Sequence, residues 1–186
     1  GELAEWVQTP NQNTSDGIVS LLPQTDRARL LTIVFEPADV RRHLGMLVGD
    51  GVRPAMAGAA DWFAADAETV AWSLHAGETF HSEMLIRGPR TTSTLKTEEK
   101  LKRRLEQLPP TMVELVQKMQ PRRSGFRQLI GRFPAMLEVF RLATISSIED
   151  RSVRLLTVLP PKAAPNLALG AVLTWDESTR TDLSAD

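Results

Sequence analysis

Apolar residues along this chain alternate between strand-like and helical spacing, and the switches mark out its elements. Arg29 to Glu36 reads Arg-Leu-Leu-Thr-Ile-Val-Phe-Glu, a short β-branched run that predicts a buried strand. Pro37-Ala38-Asp39 then opens a helix through about Val48: proline suits the first turn, and the Asp39 carboxylate suits the positive helix end. Gly49-Asp50-Gly51 stops it. Met56, Ala59, Ala60 and Phe63 fall at helical spacing and predict a second helix over 53–65.

Two stretches read as hairpins. Over 69–75, Val70, Trp72 and Leu74 alternate with Thr69, Ala71, Ser73 and His75; over 80–87, Phe80, Met84 and Ile86 alternate with His81, Glu83 and Arg87. Each strand has one apolar and one more polar face, as in an antiparallel sheet. The same pattern appears at 144–148 and 152–159, with a turn at Glu149-Asp150-Arg151. Between the hairpins, Thr97 is the predicted N-cap of a helix with the stripe Leu101, Leu105 and Leu108, broken or restarted at Pro109-Pro110. Met112, Leu115, Val116 and Met119 continue the stripe, and a helix follows from about Pro134 to Leu142. Ala163 to Leu173 is a last apolar helix.

Hairpins separated by helices, rather than repeated βαβ units, predict an α+β two-layer sandwich. Its sheet is mainly antiparallel with helices on one face, and a ferredoxin-like arrangement is the nearest familiar shape. Residues 27–175 are expected to form a single domain. Residues 1–26, with a short helix at 2–7 and a run of turn formers at 9–17, read as a linker or N-terminal extension, and 176–186 as a flexible tail. The chain begins Gly1-Glu2-Leu3, which reads as a fragment of a longer protein with Gly1 left by tag removal.

Composition narrows the chemistry. The 186 residues contain no cysteine, which excludes disulfides, thiolate nucleophiles and cysteine metal sites, and no tyrosine, a common general acid. A net charge of −1 argues against a dedicated nucleic-acid binder. No apolar run approaches the roughly 18 residues of a membrane span. Gly49-Asp50-Gly51 lacks the lysine and spacing of a phosphate loop, and neither His-Glu-x-x-His nor Gly-x-Ser-x-Gly occurs. No catalytic residue and no cofactor is assigned.

Two constellations could still carry chemistry. If the apolar faces of the first hairpin coincide, the two-residue period places His75 opposite His81 and Ser73 opposite Glu83. His75, His81 and Glu83 could then hold a divalent metal, in a metal-binding or hydrolytic domain; the alternative is ordinary polar residues on a solvated sheet face. The 87–132 span is basic, and Lys102, Arg103, Arg122 and Arg123 could meet phosphates or nucleic acid. The alternative there is a solvated helix face, since few aromatics interleave the charges for base stacking.

Arg132-Phe133-Pro134-Ala135-Met136-Leu137 and Leu159-Pro160-Pro161-Lys162-Ala163-Ala164-Pro165-Asn166-Leu167-Ala168-Leu169, together with the Leu-Thr-Ile-Val-Phe strand and the Trp72 hairpin, give the chain a further likeness. Across most of 28–175 it resembles uncharacterised bacterial domains found inside larger, often membrane-tethered proteins. The resemblance rests on packing and turn phrases and transfers no catalytic residue. It implies a module of a larger bacterial protein; the extracytoplasmic part of a membrane-tethered one is a setting that fits, and the compartment is left open. The expectation is a non-catalytic interaction or structural module, whose partner is a protein, another domain of the same chain or a second copy.

Overall fold

The computed structural model describes residues 15–26, 28–47, 62, 66–119, 121 and 123–180. Among them are five strands: β1 (Leu31–Phe35), β2 (Thr69–Ala76), β3 (Phe80–Arg87), β4 (Thr144–Glu149) and β5 (Ser152–Leu159). There are five α-helices: α1 (Asp16–Leu21), α2 (Pro37–Leu47), α3 (Thr94–Lys118), α4 (Ser124–Leu142) and α5 (Ala163–Arg180). The strands make one open sheet in the order β1-β2-β3-β5-β4, antiparallel at every step. The fold is α+β. One split βαβ crossover of the ferredoxin-like kind is present: β3 and β4, joined through α3 and α4, run in the same direction with β5 between them, while β1, β2 and β3 follow one another as sheet neighbours.

Strand pairing aligns apolar residues in rows across the sheet. Phe35, Val70, Ile86 and Val153 are successive cross-strand partners. Val70, Ile86 and Val153 are fully buried and share one core with Leu101 and Leu105 of α3. Trp62 packs against the same core; the rest of the helix expected over 53–65 lies outside the described residues. A second cluster joins Met119, Ile130 of α4 and Leu173 of α5. Together α3, α4 and α5 cover one face of the sheet.

The opposite face is not bare. Residues 15–26, expected as linker or extension, hold α1. Its Leu21 is fully buried against Ala71 and Leu85. Ser15 caps α1 by accepting from the Ile18 amide at 3.3 Å, and its hydroxyl also donates to Glu36. A Cβ at Gly17 would overlap Thr69 Oγ1, so the close approach of α1 to β2 requires glycine there.

The prolines act differently from expectation. α3 begins at Thr94 with Ser93 as N-cap, its Oγ accepting from the Lys96 amide at 3.4 Å, and Thr97 is buried inside the helix. It runs unbroken through Pro109-Pro110 to Lys118. Each proline removes one helical donor, but the apolar stripe is anchored on both sides: Leu101 and Leu105 in the sheet core, Leu115 and Val116 in the second cluster. α4 likewise starts at Ser124 and carries Pro134 within it, buried. At the C-terminal end α5 extends to Arg180, with Thr174 and Glu177 buried, so the helix includes residues 176–180 of the expected tail. The expected turn at 149–151 is present, with Asp150 at φ 50°, a left-handed conformation that aspartate tolerates better than most residues.

One polar tie links α3 to the edge strand β4. Ser146 Oγ donates to Glu98 Oε1 at 2.6 Å, and Lys102 Nζ lies 2.9 Å from the same oxygen. The Ser146 hydroxyl first, and then Lys102, hold the Glu98 carboxyl below the ordinary glutamate value. A carboxyl depressed on folding stabilises in full above its unfolded value, and that stabilisation is lost as pH falls through the lower folded value. Glu98→Gln is therefore expected to flatten the acid limb of the stability curve. Urea midpoints measured from neutral to acid pH check this; parallel curves for both proteins would count against the tie.

Candidate functional site

The first hairpin pairs in the register read from its alternation: His75 lies opposite His81 and Ser73 opposite Glu83. The two imidazole centroids are 6.3 Å apart and tilted by 60°. His81 Nε2 shares a 2.6 Å hydrogen bond with Thr79 Oγ1, while the buried His75 Nδ1 has no hydrogen-bond partner among the described residues. Glu83 turns to other partners. Its carboxylate, buried on the face that carries α1, lies 2.9 Å from Arg154 Nε and 3.5 Å from Arg29. Arg154 also pairs with Glu149 at 2.7 Å, and Arg29 with Asp26 at 3.3 Å. Glu83 is thus the centre of an alternating charge chain. No group of three His, Asp or Glu among the described residues is placed to hold a metal ion.

The basic region is similarly engaged. Lys102 pairs with Glu98 at 2.9 Å and Arg103 with Glu99 at 3.0 Å, each one turn along α3. Lys100 pairs at 2.7 Å with the buried Asp66, which also receives Arg104. Arg123 lies over the Phe126 ring at 5.2 Å. Arg122 lies outside the described residues. Lys100, Lys102, Arg103 and Arg104 of α3 therefore face carboxylates instead of forming an unopposed positive field.

A broad apolar concavity lies on the other side of the sheet. A cavity of about 580 Å³ opens between the ends of β2 and β3 and the helices α4 and α5. Trp72 and Phe80 form its sheet wall, Phe133 and Phe140 its α4 wall. The α5 wall combines Pro165 and Leu167 with Ala164, Ala168 and Ala171, which are spaced to share a helix face and present only methyl groups there. Small residues opposite aromatic ones leave volume that side chains do not fill. Ser82 is the one hydrogen-bonding side chain among the described lining residues apart from the Trp72 indole, and none of the lining residues is ionisable. Trp72 Nε1 donates to Ser82 Oγ at 3.0 Å.

Sequence reasoning placed Trp72 on the apolar strand face but missed this cavity. Its walls come from separate elements, and only the alanine spacing on α5 hinted at unfilled space. No helix among the described residues is long and apolar enough to cross a membrane. No protein family, curated protein or solved structure matches the chain, so the site is read from its own geometry.

Proposed function

We propose that the chain is a non-catalytic binding module, part of a larger bacterial protein, that takes a small apolar molecule into the cavity between its sheet and α4 and α5. The observation that carries this reading is the cavity itself: about 580 Å³, aromatic-walled and without an ionisable lining residue among those described. Ligand sites are typically concave, mostly apolar and on the order of 300–1,000 Å³. Water against such walls gains little, whereas an apolar ligand gains roughly 25 cal/mol for each Å² of apolar surface withdrawn from water. A peptide is a poor occupant, because every residue brings a backbone N–H and C=O that must be hydrogen-bonded when buried, and the lining offers little beyond Ser82.

Diphenylhexatriene, an uncharged hydrocarbon that fluoresces in apolar surroundings, tests the reading. The protein is expected to bind it in a saturable way. Ala168→Trp, which fills the cavity from the α5 side, is expected to weaken binding by more than about tenfold, the equivalent of 1.4 kcal/mol, while leaving the circular dichroism spectrum unchanged. Ala171→Phe offers a second plug on the same face. Undiminished binding by two folded plug variants would place the probe elsewhere and remove the proposal.

A further inference from the structure

The inner end of the cavity has a polar feature that limits what can bind. Ser82 and Phe140 line both the main cavity and a smaller chamber of about 30 Å³ behind it. Thr144 and Thr157 border that chamber. Ser82 pairs with Thr157 across β3 and β5, and Thr157 with Thr144 across β5 and β4, so three hydroxyls form a row on the helix-facing side. Ser82 is 3% exposed and Thr157 2%. The chamber is large enough for a single oxygen-sized group.

Each hydroxyl has one proton to give, and two of the three are committed. Thr144 Oγ1 donates to the Phe140 carbonyl at 2.7 Å. The 2.7 Å contact between Thr144 and Thr157 must then have Thr157 as its donor. Ser82 Oγ accepts from Trp72 Nε1. Its own proton has no protein acceptor among the described residues. Ser82 therefore offers a buried O–H donor at the junction of cavity and chamber.

We infer that the ligand is an uncharged amphiphile with an apolar body and one hydrogen-bond-accepting oxygen, such as an ester carbonyl, which docks on the Ser82 hydroxyl. The inference rests on the reading of the cavity as a ligand site and adds the chemistry of the head group. A carboxylate is selected against: no cation lines the cavity or chamber among the described residues. One neutral donor does not offset the desolvation of an anion. A plain hydrocarbon fits the walls but leaves the Ser82 donor unanswered.

Displacement of diphenylhexatriene by methyl decanoate and by decanoate at neutral pH, where the acid is ionised, separates the possibilities. Methyl decanoate is expected to compete at least about tenfold more strongly than decanoate, given the cost of burying the charge. Ser82→Ala is expected to weaken methyl decanoate roughly two- to tenfold, the range of one net hydrogen bond, and to leave diphenylhexatriene affinity within about twofold, since that probe accepts no hydrogen bond. Ser82→Cys keeps the side chain near its size but donates weakly, and should behave like the alanine variant if the latter folds poorly. Equal competition by ester and acid, or an ester affinity indifferent to Ser82, would overturn the head-group assignment while the cavity still bound the hydrocarbon reporter. Failure of the reporter to bind at all would remove both readings.

Discussion

Truncation of Ile86 to alanine is expected to lower the unfolding free energy by about 3 to 4 kcal/mol, within the range for large-to-small substitutions in a packed core. Ile86 is fully buried on the central strand β3, between Val70 of β2 and Val153 of β5, and beneath Leu101 and Leu105 of α3. The change deletes three carbons, a transfer loss of roughly 2 to 3 kcal/mol at about 0.8 per methylene. The remainder comes from the cavity that β-sheet neighbours, held by hydrogen bonds on both sides, close only in part. The fall in melting temperature should be about 10 °C for a chain of this size. Ile145→Ala is the matched control: on the edge strand β4 and 65% exposed, it should change stability by no more than about 0.5 kcal/mol. Urea unfolding of both variants, with unchanged slope, checks the contrast; similar costs at the two sites would mean that the sheet faces are misassigned.

Ile86 and its neighbours were readable in advance because a strand's side-chain period is two. Once Val70, Trp72 and Leu74 must share a face with Met84 and Ile86, the register follows, and His75 falls opposite His81. The second hairpin was readable for the same reason, with a short turn between 149 and 152. Elements governed by distant packing were not. Pro109-Pro110 carries a local signal to stop, yet α3 continues, because core contacts on both sides of the pair outweigh the lost helical bonds. α1, with six residues, is too short to be stable alone; it exists through the burial of Leu21 and the contact of Gly17 with Thr69, both long-range facts. The cavity is a shape between elements, and a sequence records its walls without recording the gap. Of the candidate site residues, position was legible and partnership was not: nothing near Glu83 in the chain announces Arg29 or Arg154.

That partnership makes Glu83 the second sensitive position. Glu83→Ala is expected to cost about 2 to 3 kcal/mol, below the 3–5 typical of a fully buried pair losing one member, because the surviving arginines retain some contact with water. The Arg29 and Arg154 side chains are 20% and 32% exposed, so they recover part of their hydration but not all of it. Two like charges would then face one another across the polar face of the sheet, each keeping a single outer carboxylate, Asp26 for Arg29 and Glu149 for Arg154. Glu83→Gln keeps an acceptor oxygen and the side-chain volume, and should fall between alanine and the parent. Removal of one arginine as well should restore part of the loss, since the double variant no longer strands two cations; a double-mutant cycle on Glu83 and Arg154 measures the coupling directly. The metal reading makes the opposite forecast. Were His75, His81 and Glu83 joined by a bound zinc ion, zinc would raise the melting temperature of the parent by mass action, and His75→Ala would abolish the increase. With Glu83 held by arginines, zinc should leave the melting temperature unchanged, and the cost of Glu83→Ala should be the same with and without a chelator. A zinc-dependent rise that His75→Ala removes would show that the carboxylate leaves its arginines for the metal, and would return this face of the sheet to the list of chemical sites.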